Sequence, residues 1–156
     1  MEGIIIKNES TNYTVRTKKG INICKPRGKF RIDKITPLVG DVESIDENNN
    51  YILNIKERKN SLIRPQIANV DIAIIVTSVK EPNFDSNLLD KLLTIISYNN
   101  IEPIICLTKL DLLSSTEKKE LTKIMNYYEK MGYKVTDNTN IKQIKNLIKN
   151  KIIVNL

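Results

Sequence analysis

The chain has 156 residues, 40% of them apolar and 28% charged, with a formal net charge of +7, and that much apolar content argues against wholesale disorder. No apolar run approaches the roughly 18 residues of a membrane helix, and the start Met1-Glu2-Gly3-Ile4-Ile5-Ile6-Lys7 does not suit a signal peptide, so a cytoplasmic protein without membrane contact is expected. Histidine is absent, which excludes imidazole acid–base chemistry, His metal sites and Ser-His or Cys-His nucleophile pairs. Cys24 and Cys106 lie far apart in apolar runs and read as reduced, buried thiols. Residues 1–68 carry 13 Lys/Arg against 8 Asp/Glu, and the remainder carries 12 against 10. The basic first half suits a polyanionic partner, because Lys/Arg-rich faces release counterions from nucleic acid; a solvated basic face fits the charge equally well.

In chain order, residues 1–57 offer five short β-type runs: Gly3–Ile6, Tyr13–Thr17, Ile21–Lys25, Asp41–Ile45 and Tyr51–Ile55. Lys18-Lys19-Gly20 and Asp46-Glu47-Asn48-Asn49-Asn50 supply hairpin turns, and Thr36-Pro37-Leu38-Val39-Gly40-Asp41 is a loop entering a strand. Five such strands predict a small closed barrel without exposed edges. An oligonucleotide-binding (OB) barrel is the commonest basic example, and an SH3-like barrel fits the same pattern. Residues 58–67 are polar with a proline and read as a linker.

From residue 68 the rhythm changes. Asp71–Ser78 is a near-continuous apolar run, as in a parallel strand covered on both faces. Asp85-Ser86 caps a helical set at Leu88, Leu89, Leu92, Leu93, Ile95 and Ile96, and a second buried strand follows at Ile104–Leu107. Ser114-Ser115-Thr116-Glu117 is a capping box opening a helix with Leu121, Ile124, Met125 and Tyr128 on one face, ended by Gly132. A strand at Lys134–Thr136, a helix with Ile141, Ile144, Leu147 and Ile148, and a strand at Ile152–Val154 complete the alternation. The fold class is thus all-β plus α/β: a five-stranded OB-like barrel (1–57), a linker (58–67) and an α/β domain with a mostly parallel sheet (68–156).

In open α/β sheets ligands bind beyond the carboxyl ends of the strands, and the strand at Ile104–Leu107 delivers Thr108-Lys109-Leu110-Asp111 to that edge. The pattern is close to the guanine-specificity motif Asn-Lys-x-Asp, with Thr in place of Asn. A carboxylate at Asp111 can accept paired hydrogen bonds from guanine N1–H and its exocyclic amine; adenine offers no such pair and would leave the carboxylate desolvated and unmet. The Lys109 stem can lie over the base, and Thr108 can orient the neighbouring backbone. As an isolated four-residue pattern, a Lys and an Asp in a strand-to-helix loop are more often ordinary solvated residues. A phosphate loop, Gly-x-x-x-x-Gly-Lys-Ser/Thr, is missing: among Gly3, Gly20, Gly28, Gly40 and Gly132 only Gly28 precedes a lysine, Phe30 follows it, and Ile23 stands five residues earlier.

The order barrel, βαβ unit, guanine motif resembles the ribosome small-subunit-dependent GTPase A family, circularly permuted ribosome biogenesis GTPases. The resemblance is carried by Arg27-Gly28-Lys29-Phe30-Arg31 and Ile35–Asp41 in the barrel, and by Arg64-Pro65 with Ala68-Asn69-Val70-Asp71 at the junction. It continues through Ile101–Ile105, Leu107–Leu113, Tyr128 and Gly132-Tyr133. It implies that residues 68–156 are an incomplete P-loop-GTPase-like domain of a factor in late maturation of the small ribosomal subunit, with rRNA on the barrel and GTP with Mg2+ on the α/β domain, where Thr108, Lys109, Leu110 and Asp111 bind the nucleotide. It also implies a phosphate loop after the Ile152–Val154 strand and, later, a zinc-bearing C-terminal domain; this sequence stops where that loop is expected to begin, so the chain alone is expected to be an inactive, monomeric fragment without catalytic residues or metal site. The base-backing loop implied near residues 135–140 is shorter and less Ser/Ala-like here.

Beside the resemblance, the residues themselves offer an RNA-contact strip: Lys25, Arg27, Lys29, Arg31 and Lys34, crowded around Gly28 with Phe30 between them. In an extended segment these alternating cations fall on one face, while a loop would fan them out, and the scarcity of aromatics points to phosphate and shape recognition rather than base stacking. Two other readings stand: a non-enzymatic RNA-binding module whose α/β half is a scaffold, and an unrelated enzyme using Asp71, Asp85 or Asp111 as acid–base groups.

Overall fold

Alternation of apolar and polar side chains organises the first unit. In the computed structural model, which describes residues 1–156, β1 (Glu2–Glu9), β2 (Asn12–Thr17) and β3 (Gly20–Pro26) form an antiparallel meander. Ile5, Tyr13, Val15 and Cys24 point inward and are buried, while Ile4, Arg16, Ile21 and Ile23 stand outside. β4 (Val42–Asp46) and β5 (Tyr51–Ile55) close the ring in the order β1-β2-β3-β5-β4, with a parallel seam where Lys25 and Pro26 meet Tyr51 and Ile52. Register shifts at Ile5/Lys7 and Ser44/Ile45 mark β-bulges that bend the strands around the ring. The interior is Ile5, Tyr13, Val15, Cys24, Phe30, Ile45 and Ile52, an OB-like closed barrel as expected. Each fully buried isoleucine here contributes roughly 2 kcal/mol of transfer free energy.

Two segments of this unit differ from the expectation. Residues around Gly28 are not extended: α1 (Lys29–Ile32) is a single helical turn, because Phe30 is drawn into the barrel interior and turns the backbone with it. Residues 58–67 are not a free connector either. They carry a hairpin, β6 (Ser61–Leu62) and β7 (Ile67–Ala68), and the first compact unit runs from Met1 to Asn69. The cause is a buried acid. Asp41 is fully buried, and Arg58 reaches it with Nε and one terminal nitrogen at 2.7 and 2.8 Å while donating a further bond to the Thr36 carbonyl. The Leu38 N–H also donates to Asp41 at 2.7 Å. Asn69 completes the clasp, donating to the Gly40 carbonyl and accepting from the Lys59 N–H. At Gly40, with φ +91°, a Cβ would stand 2.0 Å from the Ala68 carbonyl oxygen, so the loop lies directly against β7 backbone.

The second unit, Val70–Leu156, alternates strand and helix: β8 (Ile72–Ser78), α2 (Ser86–Tyr98), β9 (Glu102–Thr108), α3 (Ser115–Lys130), β10 (Lys134–Asp137), α4 (Ile141–Ile148) and β11 (Ile153–Asn155). The four strands are all parallel in the order β10-β9-β8-β11. One sheet face, with Ile75, Ile105 and Leu107, packs on Leu89 and Leu93 of α2 and Leu121, Met125 and Tyr128 of α3. The other, with Ile72, Ile74, Ile104 and Cys106, packs on Ile144, Leu147 and Ile148 of α4. The helix ends follow the sequence signals. Asp85 accepts the Leu88 N–H, Ser114 and Glu117 form the reciprocal capping box, Asn140 accepts the Gln143 N–H, and Gly132 takes φ +95° just past α3. Cys24 and Cys106 are free and buried, and burial pushes both thiols above their ordinary range. No helix is long and apolar enough to cross a membrane.

Candidate functional site

β8 and β9 run in register from Ile72–Glu102 to Ser78–Thr108, so both strands end together at the carboxyl rim of the sheet. There the chain leaves β9 sharply. Lys109 adopts the left-handed conformation, φ 62° and ψ 33°, a cost of roughly 1 kcal/mol for a residue with a Cβ, and a 3-10 turn follows at Leu110–Leu112. Leu110 and Leu113 pack onto the α2/α3 core, which offsets that cost and fixes the turn. The Thr108 hydroxyl donates to the Thr77 carbonyl at 3.4 Å, and the Lys109 ammonium donates to the Glu81 carbonyl in the β8–α2 loop. Asp111 is exposed on the turn and makes no hydrogen bond or ion pair within the chain, so its carboxylate is open to an external donor pair.

The neighbouring loop, between β10 and α4, arrives at the same rim. Asp137 pairs with Leu107 in the sheet, and the Asn138 N–H donates to the Leu107 carbonyl at 3.0 Å. The Asp137 carboxylate accepts the Thr139 N–H at 2.8 Å and the Thr139 hydroxyl, which lowers its pKa, the hydroxyl bond being the larger cause. Beneath the rim, the Lys80 ammonium reaches Glu117 at 2.9 Å, tying the end of β8 to the start of α3. Glu117 is held at about 2, first by the Ser114 N–H and then by Lys80. Tyr128 donates to Asp90 at 2.7 Å between α3 and α2; burial and that bond push the phenol well up. No motif announced the last two links. Glu117 shows in the sequence only as part of the capping box, and Asp90 only as a polar residue among the leucines of α2.

The three carboxylates of the acid–base reading do not converge. Asp71 precedes β8 and accepts the Ile152 N–H at 2.7 Å, Asp85 caps α2, and Asp111 stands beyond the far end of the strands. No three His, Cys, Asp or Glu side chains come together as a metal-binding group.

On the barrel, the helical turn α1 divides the five cations into two sets. Lys25, Arg31 and Lys34 line a cleft of about 720 Å3 with Tyr13, Phe30 and Thr36, whereas Arg27 and Lys29 border a separate depression of about 510 Å3 with Leu53 and Asn54. Of the two arrangements open to these cations, the helical turn gives the fanned one rather than a strip along one face. None of the five is held in a salt bridge, and the Phe30 ring is buried, leaving no base-stacking surface between them. Sequence reasoning missed the acids behind them. Asp41 and Glu43 are fully buried, Glu43 without a partner for either oxygen, and desolvation followed by repulsion from Asp41 raises Glu43 to about 8.

Comparison with known proteins agrees with this architecture. Residues 55–156 match the RsgA GTPase family model, and residues 2–52 match the RsgA N-terminal domain. The chain is 49% identical over 137 residues to the small ribosomal subunit biogenesis GTPase RsgA of Bacillus cytotoxicus, covering 86% of this chain and 47% of that protein. It is 42% identical over 160 residues to RsgA 1 of Listeria monocytogenes, covering 99% and 55%. Among solved structures it is similar to YloQ, a circularly permuted GTPase, with TM-score 0.81, 37% identity and coverage of 99% of this chain and 58% of that one. YjeQ from Thermotoga maritima superposes with TM-score 0.86 at 30% identity, covering 99% and 59%. The chain therefore spans about half the length of the curated relatives it matches, and with one family model over its first unit and another over its second, the chain belongs to the RsgA GTPase family.

Proposed function

We propose that this chain is the barrel and guanine-reading portion of a cytoplasmic GTPase acting in late maturation of the small ribosomal subunit. The observation that carries the reading is Asp111: an unpartnered carboxylate on a rigid turn at the carboxyl rim of a parallel sheet. Thr108, Lys109, Leu110 and Asp111 bind the nucleotide, with Asp111 taking N1–H and the exocyclic amine. Lys109 supplies its stem above the base, while its ammonium is already directed across the rim toward Glu81. Lys25, Arg27, Lys29, Arg31 and Lys34 contact rRNA phosphates from the two clefts of the barrel.

The 156 residues contain no Gly-x-x-x-x-Gly-Lys-Ser/Thr and no carboxylate set for Mg2+, and phosphate and metal contacts supply most of the positioning in phosphoryl transfer, so the chain alone binds guanine weakly as a monomer without turnover. Zinc, which the resemblance attributes to a further domain, has no ligand set here. Titration with a fluorescent guanine nucleotide tests the reading. Saturable binding that prefers GDP to ADP and is lost in Asp111→Asn supports it; robust GTP hydrolysis by the isolated chain contradicts it. The second reading, an RNA-binding module with a scaffold α/β half, is favoured by the free barrel cations and predicts steeply salt-dependent RNA binding with no difference between GDP and ADP.

A further inference from the structure

The ring of the barrel is not hydrogen-bonded along its whole length. β3 meets β5 only at Lys25 and Pro26, so Gly20–Cys24 have β2 on one side and no strand on the other. The ladder sets the backbone directions. The Lys25 N–H donates toward β5, to the Asn50 carbonyl at 2.9 Å, and main-chain groups two residues apart along a strand point the same way. The N–H and C=O of Ile23 and Ile21 therefore face the side without a strand, and no turn or side chain bonds them. Their side chains are open as well, Ile21 at 65% exposure and Ile23 at 62%. Strand edges are ordinarily blunted by lysine, proline or a bulge; here two β-branched apolar residues stand on the free edge, and the β2/β3 register runs without a shift. The adjoining outer face is apolar and cationic. Arg16 lies opposite Ile21, and Ile4 lies opposite Arg16 on the next strand. Arg16 and Lys18 are exposed and held in no ion pair.

We propose that the Ile21–Ile23 edge of β3 is a docking site for an extended, acidic segment of another protein. The segment adds as a strand beside β3, with aliphatic side chains against Ile21 and Ile23 and carboxylates toward Arg16 and Lys18. A peptide backbone supplies donors and acceptors alternately at the strand spacing of about 4.8 Å, so it answers both main-chain groups of each isoleucine. A run of RNA phosphates supplies acceptors only; it leaves the two carbonyls unmet and sets charge against the isoleucines. A second copy of this chain would pair β3 with β3 antiparallel about a two-fold axis centred on Asn22. That arrangement puts Lys25 of each copy against Lys19 of the other, between chains of net charge +7, so electrostatics favours an acidic partner over self-association. The edge is independent of the nucleotide rim and stands whether or not Asp111 reads guanine.

The test titrates the isotope-labelled 156-residue chain with the peptide acetyl-Glu-Thr-Val-Thr-Val-Thr-Glu-amide and follows amide hydrogen exchange residue by residue. Exchange at Ile21 and Ile23 should slow by about tenfold on saturation, while Asn22 and Cys24, already paired with β2, should not change. The same peptide with lysine in place of glutamate should bind about tenfold more weakly, and Arg16→Glu should erase that difference. N-methylation of the two valines removes the donors that would meet β3 and should also weaken binding by about tenfold. Ile23→Pro deletes a donor that the barrel itself does not use, so it should abolish binding and leave the remaining barrel amides protected. Should that variant unfold the barrel, the N-methylated peptide makes the same comparison on the unmodified chain. Unchanged exchange at Ile21 and Ile23 with the acidic peptide overturns the assignment, as does equal binding of the N-methylated peptide. Protection of these two amides by a uridine oligonucleotide overturns it in favour of RNA. Protection that rises with chain concentration alone, together with a dimer in sedimentation, overturns it in favour of a second copy.

Discussion

The barrel and the α/β unit solve the same problem, a dry interior, with opposite chemistry. Both faces of the parallel sheet bury almost only hydrocarbon, and its one buried polar strand residue, Thr136, is satisfied by Gln143 at 2.7 Å. The barrel unit instead buries two carboxyl groups, Asp41 just before β4 and Glu43 within it, one clasped by Arg58 and one left without a partner. A sheet covered on both sides tolerates little polarity because every strand position is inside. A barrel strand hides only alternate residues, so an acid can sit inside a segment that still reads as half-polar. Charge balance thus governs the first unit and shape filling the second.

The largest effect expected from that contrast is at Arg58. Replacing it with Ala leaves Asp41 buried and uncompensated, and should cost about 3–5 kcal/mol, read as lost amide protection across β1, β4 and the β6/β7 hairpin with the α/β strands unchanged. Next comes Glu43. Its folded pKa of about 8 lies above the ordinary carboxylate value, so its contribution is fully present below about pH 4.5 and is lost as pH rises through about 8. Thermal unfolding of the unmodified chain should therefore fall by several degrees between pH 5 and pH 9, and Glu43→Gln should flatten that slope; an unchanged slope would remove Glu43 as its source.

In the other unit the analogous changes are smaller. Ser114→Ala breaks one arm of the capping box and should cost about 1 kcal/mol, visible as faster exchange in the first turn of α3. Glu117, held at about 2, contributes stability present above its ordinary pKa and lost as pH falls through its folded value, so the variant Glu117→Gln should narrow the gap to the unmodified chain only in acid. Smallest of all, Asp111→Asn should leave stability within about 0.5 kcal/mol, as expected for an exposed, unpartnered side chain, while removing guanine preference in a nucleotide titration.

What was legible in the sequence follows the same division. Asp85, Ser114 with Glu117, and Gly132 mark their helix ends by local chemistry alone, and the apolar runs at Ile72–Ile75 and Ile104–Leu107 identify covered parallel strands without any knowledge of their neighbours. The turn that carries Asp111 is equally local, since it depends on one strand and the residues that follow it. The pairings that no local pattern marks depend on long-range partners: Asp41 meets Arg58 across 17 positions, and Lys80 meets Glu117 across 37. Phe30 shows the same limit from the apolar side. The cations around it suggest an extended strip, yet the need to bury one ring folds the segment into α1 and separates Lys25, Arg31 and Lys34 from Arg27 and Lys29.

The clasp between the Gly40 loop and residues 58–69 also decides where the protein can be dissected. A peptide ending at residue 57 would retain the sequestered acid at position 41 but discard its only counter-cation, together with the Asn69 amide that anchors the Gly40 carbonyl. One ending at residue 69 keeps all three. Truncation series of this protein should therefore break behaviour between those two endpoints, with the shorter piece the less stable because its buried carboxylate has lost its cation.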